Sequence, residues 1–130
     1  MKTKSLPHDS ARGHVTGESV FLDDRPFQRG ELHVGLVFSP VAHGRILSID
    51  TSAALALPGV AAVFTAQDLH HNLWGTIIQD QPLLADKEVN FLGEAIAIVA
   101  AEDKASLQAA KKLVKVEIEP LPAILSIDQA

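Results

Sequence analysis

The sequence predicts an α+β fold, a mixed sheet with one main helix and short helices, and three neighbouring segments carry that expectation. Ala95 to Ala101 is an unbroken apolar run of strand length, the mark of a strand covered on both faces. Asp103 to Leu113 follows as an amphipathic helix. Asp103 is a good N-cap, Leu107, Ala110 and Val114 recur at spacings of three and four, and Lys111, Lys112 and Lys115 collect where the helix dipole favours positive charge. From Val114 to Glu119 the period changes to two, so that Val114, Val116 and Ile118 face inward and Lys115, Glu117 and Glu119 face water.

The earlier elements are read in the same way. Leu32 to Phe38 has strand composition, interrupted at Gly35 and ended by Pro40. Arg45 to Asp50 reads as a half-buried strand. Asp50 or Thr51 can cap a short helix over Ser52 to Leu57, which Pro58-Gly59 stops. Val60 to Thr65 is a compact apolar strand, and Ala66 to Leu69 is a single helical turn. Residues 70–88 form a long irregular loop containing the only tryptophan, and loops of that length inside a domain are often functional. Val89 to Leu92 resumes strand character, and Ser126 can cap a further helix. Residues 1–30 show no sustained period and read as an extended lead-in that needs a surface to lie on; residues 31–130 read as one domain.

Composition narrows the functional classes. A chain of 130 residues with 47% hydrophobic content can close one core. Its net charge of -5 and scattered basic residues argue against a nucleic-acid groove or a membrane-surface patch. With no cysteine, the chain has no disulfide, thiolate metal site or cysteine nucleophile. The Met1–Pro7 stretch leads into polar residues rather than a signal-peptide core, and no run approaches the roughly 20 apolar residues of a spanning helix, so a cytoplasmic location is expected.

No constellation of residues argues for chemistry by this chain alone. His70 and His71 are adjacent and lack metal-ligand spacing, so a solvated loop explains them. Ser39 and His43 suggest a nucleophile and a base, but no Gly-x-Ser-x-Gly elbow surrounds the serine, and a turn-stabilising hydrogen bond is the competing reading. Gly13 and Gly17 lack the Lys-Ser/Thr of a phosphate loop. Asp23-Asp24 and Asp86-Lys87-Glu88 contain paired acids in turn-like sequence, where such side chains bond their own backbone. Leu73, Trp74, Ile77 and Ile78 form an apolar cluster that either folds back on the core or meets a partner or pocket.

The blocks Gly30-Glu31-Leu32-His33, Ser39 to Ile46, Leu57-Pro58-Gly59-Val60, Pro82 to Asp86, Val89 to Glu94 and Glu117 to Ala123 resemble, in this order and spacing, the α/β-hammerhead domain of xanthine dehydrogenases and aldehyde oxidases. Pro7 to Glu18 is similar to the opening of the separate molybdopterin-binding subunit of bacterial xanthine dehydrogenases. The resemblance implies an α/β-hammerhead at the N-terminus of that subunit. In the parent enzyme it implies purine hydroxylation with water-derived oxygen at a molybdopterin (Mo) centre, with electrons passing through [2Fe-2S] clusters to FAD and NAD.

The partners so implied are the remainder of the molybdopterin-binding subunit, the FAD/Fe-S subunit and a purine substrate, with no nucleic acid and no membrane. The base glutamate and the pterin-holding residues fall in later domains, so no catalytic, cofactor-binding or metal residue is assigned here. By position, Ile77 and Ile78 match apolar side chains bordering the substrate channel. Family members continue for several hundred residues past the equivalent of Ala130, and the chain is accordingly expected to be an inactive fragment. The alternative is a free-standing module binding a small molecule or protein through the Trp74 loop.

Overall fold

The computed structural model describes residues 8–129; the first seven residues of the expected lead-in, and Ala130, lie outside the described residues. A division between Glu31 and Leu32 separates two compact units. In the first, α1 (Ala11–Thr16) stands where no regular element was expected, and a 3-10 turn follows over Leu22–Asp24. The Ser10 hydroxyl meets His8 Nδ1 at 2.9 Å and His14 Nε2 at 3.1 Å, and Gly17, at φ 75°, closes the helix in the left-handed conformation that glycine adopts without strain. No residue of α1 is buried, so the helix leaves no apolar stripe in the sequence.

The second unit contains β1 (His33–Phe38), β2 (Gly44–Asp50), α2 (Ser52–Leu55), β3 (Val60–Thr65), β4 (Leu73–Trp74), β5 (Gln81–Pro82), β6 (Glu88–Val89), β7 (Ala95–Ala101), α3 (Lys104–Leu113) and β8 (Lys115–Pro120). The α+β hammerhead class holds. The expected mixed sheet does not: the strands divide into β1-β7-β3, β6-β2-β8 and a β4-β5 ribbon, and the pairings in all three are antiparallel. The apolar run read as a strand covered on both faces is β7, the centre of its sheet. It is covered on both faces because α3 lies on one side and a second apolar cluster on the other.

The two cores follow from the pleat of β7. Ala97, Val99 and Ala101 pack with Leu107, Ala110 and Val114 of α3 and its C-cap, together with Ala54 and Val63. Ile96, pointing the other way, packs with Ala85 and Val89, against Ile46 and Ile118 of the second sheet. Asp103 caps α3 as expected, its carboxylate accepting from the Ser106 N–H at 2.8 Å and the Ser106 hydroxyl at 2.7 Å. Those bonds hold the Asp103 pKa below its ordinary value, the backbone N–H being the larger cause.

Local structure differs from the sequence reading in several places, and the short helix expected over Ser52 to Leu57 ends at Leu55. β2 carries a register shift between Ile46 and Ser48, which turns Leu47 outward and breaks the expected alternation. The strand expected over Val89 to Leu92 is instead β6, Glu88–Val89, because the chain then turns through Gly93 at φ 86°. Ser39 locks that turn, its N–H bonding the Glu94 carbonyl at 2.8 Å and its carbonyl accepting from the Gly93 N–H at 3.0 Å. The helix expected after Ser126 is a 3-10 turn over Ile127–Gln129.

Candidate functional site

The irregular segment is anchored at its base and open at its tip. Asn72 clasps Leu84 with both ends of its amide, the side-chain nitrogen donating to the Leu84 carbonyl at 2.7 Å and the side-chain oxygen accepting from the Leu84 N–H at 2.9 Å. Leu84 and Ala85 then enter the core at 1% and 0% exposure. Between these anchors β4 and β5 pair Leu73 with Pro82 and Trp74 with Gln81, a ribbon too short to show a period in sequence. A Cβ at Gly75 would overlap the Ile78 carbonyl, so the tip closes tightly only with glycine there.

The apolar cluster does not fold back on the core. Ile77 is 95% exposed and Ile78 68%, with Trp74 and Leu73 also exposed beside them. An aqueous surface gains nothing from such side chains, and together they form an exposed apolar patch on one anchored loop. Ile77 and Ile78, the residues that the resemblance matches to a channel border, lie in the exposed turn between β4 and β5.

The remaining candidates resolve into structural roles. The Ser39 hydroxyl donates to the Val41 carbonyl at 2.8 Å and accepts from the Val41 N–H at 3.2 Å, and Ser39 is buried. His43 bonds elsewhere, its Nδ1 2.7 Å from the Pro122 carbonyl oxygen and its Nε2 2.7 Å from Glu88 Oε1. The nucleophile and base reading therefore fails, and the turn-stabilising one holds for the serine. The Pro122 bond, then the Glu88 bond, raise the His43 pKa above its ordinary value. Asp24 accepts from the Phe21 N–H at 2.9 Å, as a turn aspartate does.

Sequence reasoning missed two concavities, since nothing local signals a groove assembled from distant turns. One, of about 530 Å³, is lined by residues including Ile46, Ser48, Thr65, Asp68, Asp86 and Lys87. The other, of about 460 Å³, lies between Asn90–Leu92 and Ala123–Leu125 and is also lined by Ala42 and His43.

The residues present do not fit the metal groups that the resemblance implies. Among the described residues no three His, Asp or Glu side chains converge as metal ligands, and the sequence has no cysteine for an iron–sulfur cluster. The larger concavity offers two carboxylates against one ammonium, the wrong balance for a phosphate-bearing cofactor. Among the described residues no helix is long and apolar enough to cross a membrane.

Comparison with known proteins identifies the fold. Residues 16–122 match the family model described as the aldehyde oxidase and xanthine dehydrogenase a/b hammerhead domain. The chain is 43% identical over 126 residues to a xanthine dehydrogenase of Drosophila subobscura, covering 95% of this chain and 9% of that protein. It is 41% identical over 128 residues to a nicotinate hydroxylase of Emericella nidulans, covering 98% of this chain and 10% of the relative. Among solved structures, the aldehyde oxidoreductase of Desulfovibrio gigas superposes with a TM-score of 0.85 at 36% identity, covering 95% of this chain and 15% of its own. The CO dehydrogenase of Oligotropha carboxidovorans does so at 0.82 and 38%, covering 93% and 15%. The chain thus spans about a tenth of the length of these curated relatives. By the matched span and the superposed fold, it belongs to the aldehyde oxidase and xanthine dehydrogenase family, as its α/β-hammerhead domain.

Proposed function

We propose that this chain serves as the N-terminal structural domain of the molybdopterin-binding subunit of a xanthine dehydrogenase of the bacterial, divided type, in the cytoplasm. In this reading the parent enzyme hydroxylates a purine with oxygen from water and passes electrons through [2Fe-2S] clusters to FAD and NAD. All of those groups are held by other domains or subunits. The hammerhead packs against the remainder of its subunit and offers Ile77 and Ile78 as part of the wall of the substrate channel. The observation that carries the proposal is the anchored loop with a 95% exposed isoleucine at its tip. Xanthine is favoured over an aldehyde because the relatives named xanthine dehydrogenase reach 43% identity, against 36% for the aldehyde oxidoreductase.

Hydroxyl-radical labelling read by mass spectrometry tests the placement. Ile77 and Ile78 should be labelled freely in this chain, protected in the intact enzyme, and protected further by a bound purine. Equal labelling in all three states would remove the channel assignment and favour a free-standing binding module.

A further inference from the structure

His43 stands between the two walls of the groove formed by Asn90–Leu92 and Ala123–Leu125. Its Nε2 meets Glu88, which immediately precedes Val89 and the first wall, and its Nδ1 meets the carbonyl of Pro122, which immediately precedes the second. A carbonyl oxygen has no proton to give, and neither has an ionised carboxylate. A neutral imidazole carries a single N–H and can donate to one wall only. Both bonds together require the imidazolium, or one shared proton beyond a neutral ring and a carboxylate.

We infer that His43 is a proton-operated clamp: protonated, it ties the strap that follows β8 to β6 and fixes the groove, and on losing its proton it lets go of one wall. The strap is hinged to permit this. The Leu121 N–H bonds the His43 carbonyl at 3.0 Å through the backbone, which protonation does not alter, so release is confined to Pro122 and the residues after it. Pro122 has no N–H with which to make a second backbone tether.

The charged groups around the ring set its response. Glu88 faces it from β6. Arg45, two residues along β2, stands opposite Glu88 in one register and opposite Glu119 of β8 in the other, and its guanidinium bonds Glu119 at 3.0 Å. Glu119 thereby pairs with Arg45, while Glu88, next to Lys87 in the chain, bonds His43. Glu94, beyond the first wall, accepts from the Asn90 N–H, and residues 121–125 of the strap carry no titratable side chain. Because the bonds to Pro122 and Glu88 raise the His43 pKa, the clamp's contribution is fully present below the unfolded value of about 6.5 and is lost as pH rises through the higher folded value.

A pH titration of the full chain by NMR tests the clamp. The His43 imidazole should titrate above pH 6.5, and the Ala123, Ile124 and Leu125 amide resonances should move with the same midpoint. Glu88→Gln should lower that midpoint, and His43→Asn should abolish the pH response of the strap. A midpoint at or below 6.5, or strap resonances indifferent to the titration, would overturn the inference. If His43→Asn does not fold, Glu88→Gln decides alone, an unchanged midpoint counting against the clamp.

Discussion

Gly44 is the position at which one added carbon should do most damage to the fold. It is buried at the start of β2, where β6 pairs on one side and β8 on the other. A Cβ there would lie 2.5 Å from Ile118 Cγ2, 2.9 Å from the Glu119 carbonyl oxygen and 3.3 Å from Val41 Cγ2. The isoleucine methyl can rotate aside; the Glu119 carbonyl belongs to the backbone of β8 and cannot move without disturbing the ladder. Overpacking of this kind costs about 1–3 kcal/mol. For a unit of this size that lowers the melting temperature by roughly 5–20 °C.

Gly35→Ala supplies the comparison, because its nearest neighbours would be the Leu107 Cδ2 and Lys111 Cδ atoms, both at 3.3 Å and both on flexible side chains. Thermal unfolding of the two variants followed by circular dichroism should show Gly44→Ala as clearly the less stable. Equal melting temperatures would refute the argument that immovable backbone, rather than crowding in general, sets the cost.

Other predictions follow from the anchors. Asn72→Ala leaves both backbone groups of buried Leu84 without their partner, so it should cost about 1–3 kcal/mol and open residues 73–83 to limited proteolysis faster than in the parent chain. Asp103 has a depressed carboxyl pKa, so its capping contribution is present above the unfolded value of 3.8 and is lost as pH falls through the lower folded value. Asp103→Ala should therefore destabilise the chain near neutral pH and converge with the parent protein in acid, as read from urea midpoints across pH. Ile77→Ser and Ile78→Ser touch no core residue and should change the stability of the chain by no more than about 0.5 kcal/mol.

What could be read from the residues tracks how local the determining physics is. β7, α3 and β8 were legible because burial on both faces, on one stripe and on alternate residues each writes its own period into the sequence. The partition into separate antiparallel sheets was not, since strand partners are chosen across distances such as the 74 residues between Arg45 and Glu119. α1 escaped notice because it buries nothing, and the β4-β5 ribbon because two-residue strands have no period to show. In the loop, Ile77 and Ile78 stood out as apolar residues without a helical or strand frame. Their exposure at the tip needed the structure. The role of His43 was hidden for a different reason, as its partners Glu88 and Pro122 lie 45 and 79 residues away and meet it only once β2 is paired.

The proposed role of Ile77 and Ile78 is to supply part of an apolar wall to a purine channel built mainly by the rest of the enzyme. Steady-state kinetics of the intact enzyme carrying Ile77→Ser together with Ile78→Ser tests it most directly, because both residues lie outside the core and the fold should survive. Loss of apolar contact along the path of the purine should raise KM by roughly fivefold or more while leaving kcat little changed. An unchanged KM and kcat would contradict the claim, leaving the exposed tip of residues 77–78 without a part in substrate passage.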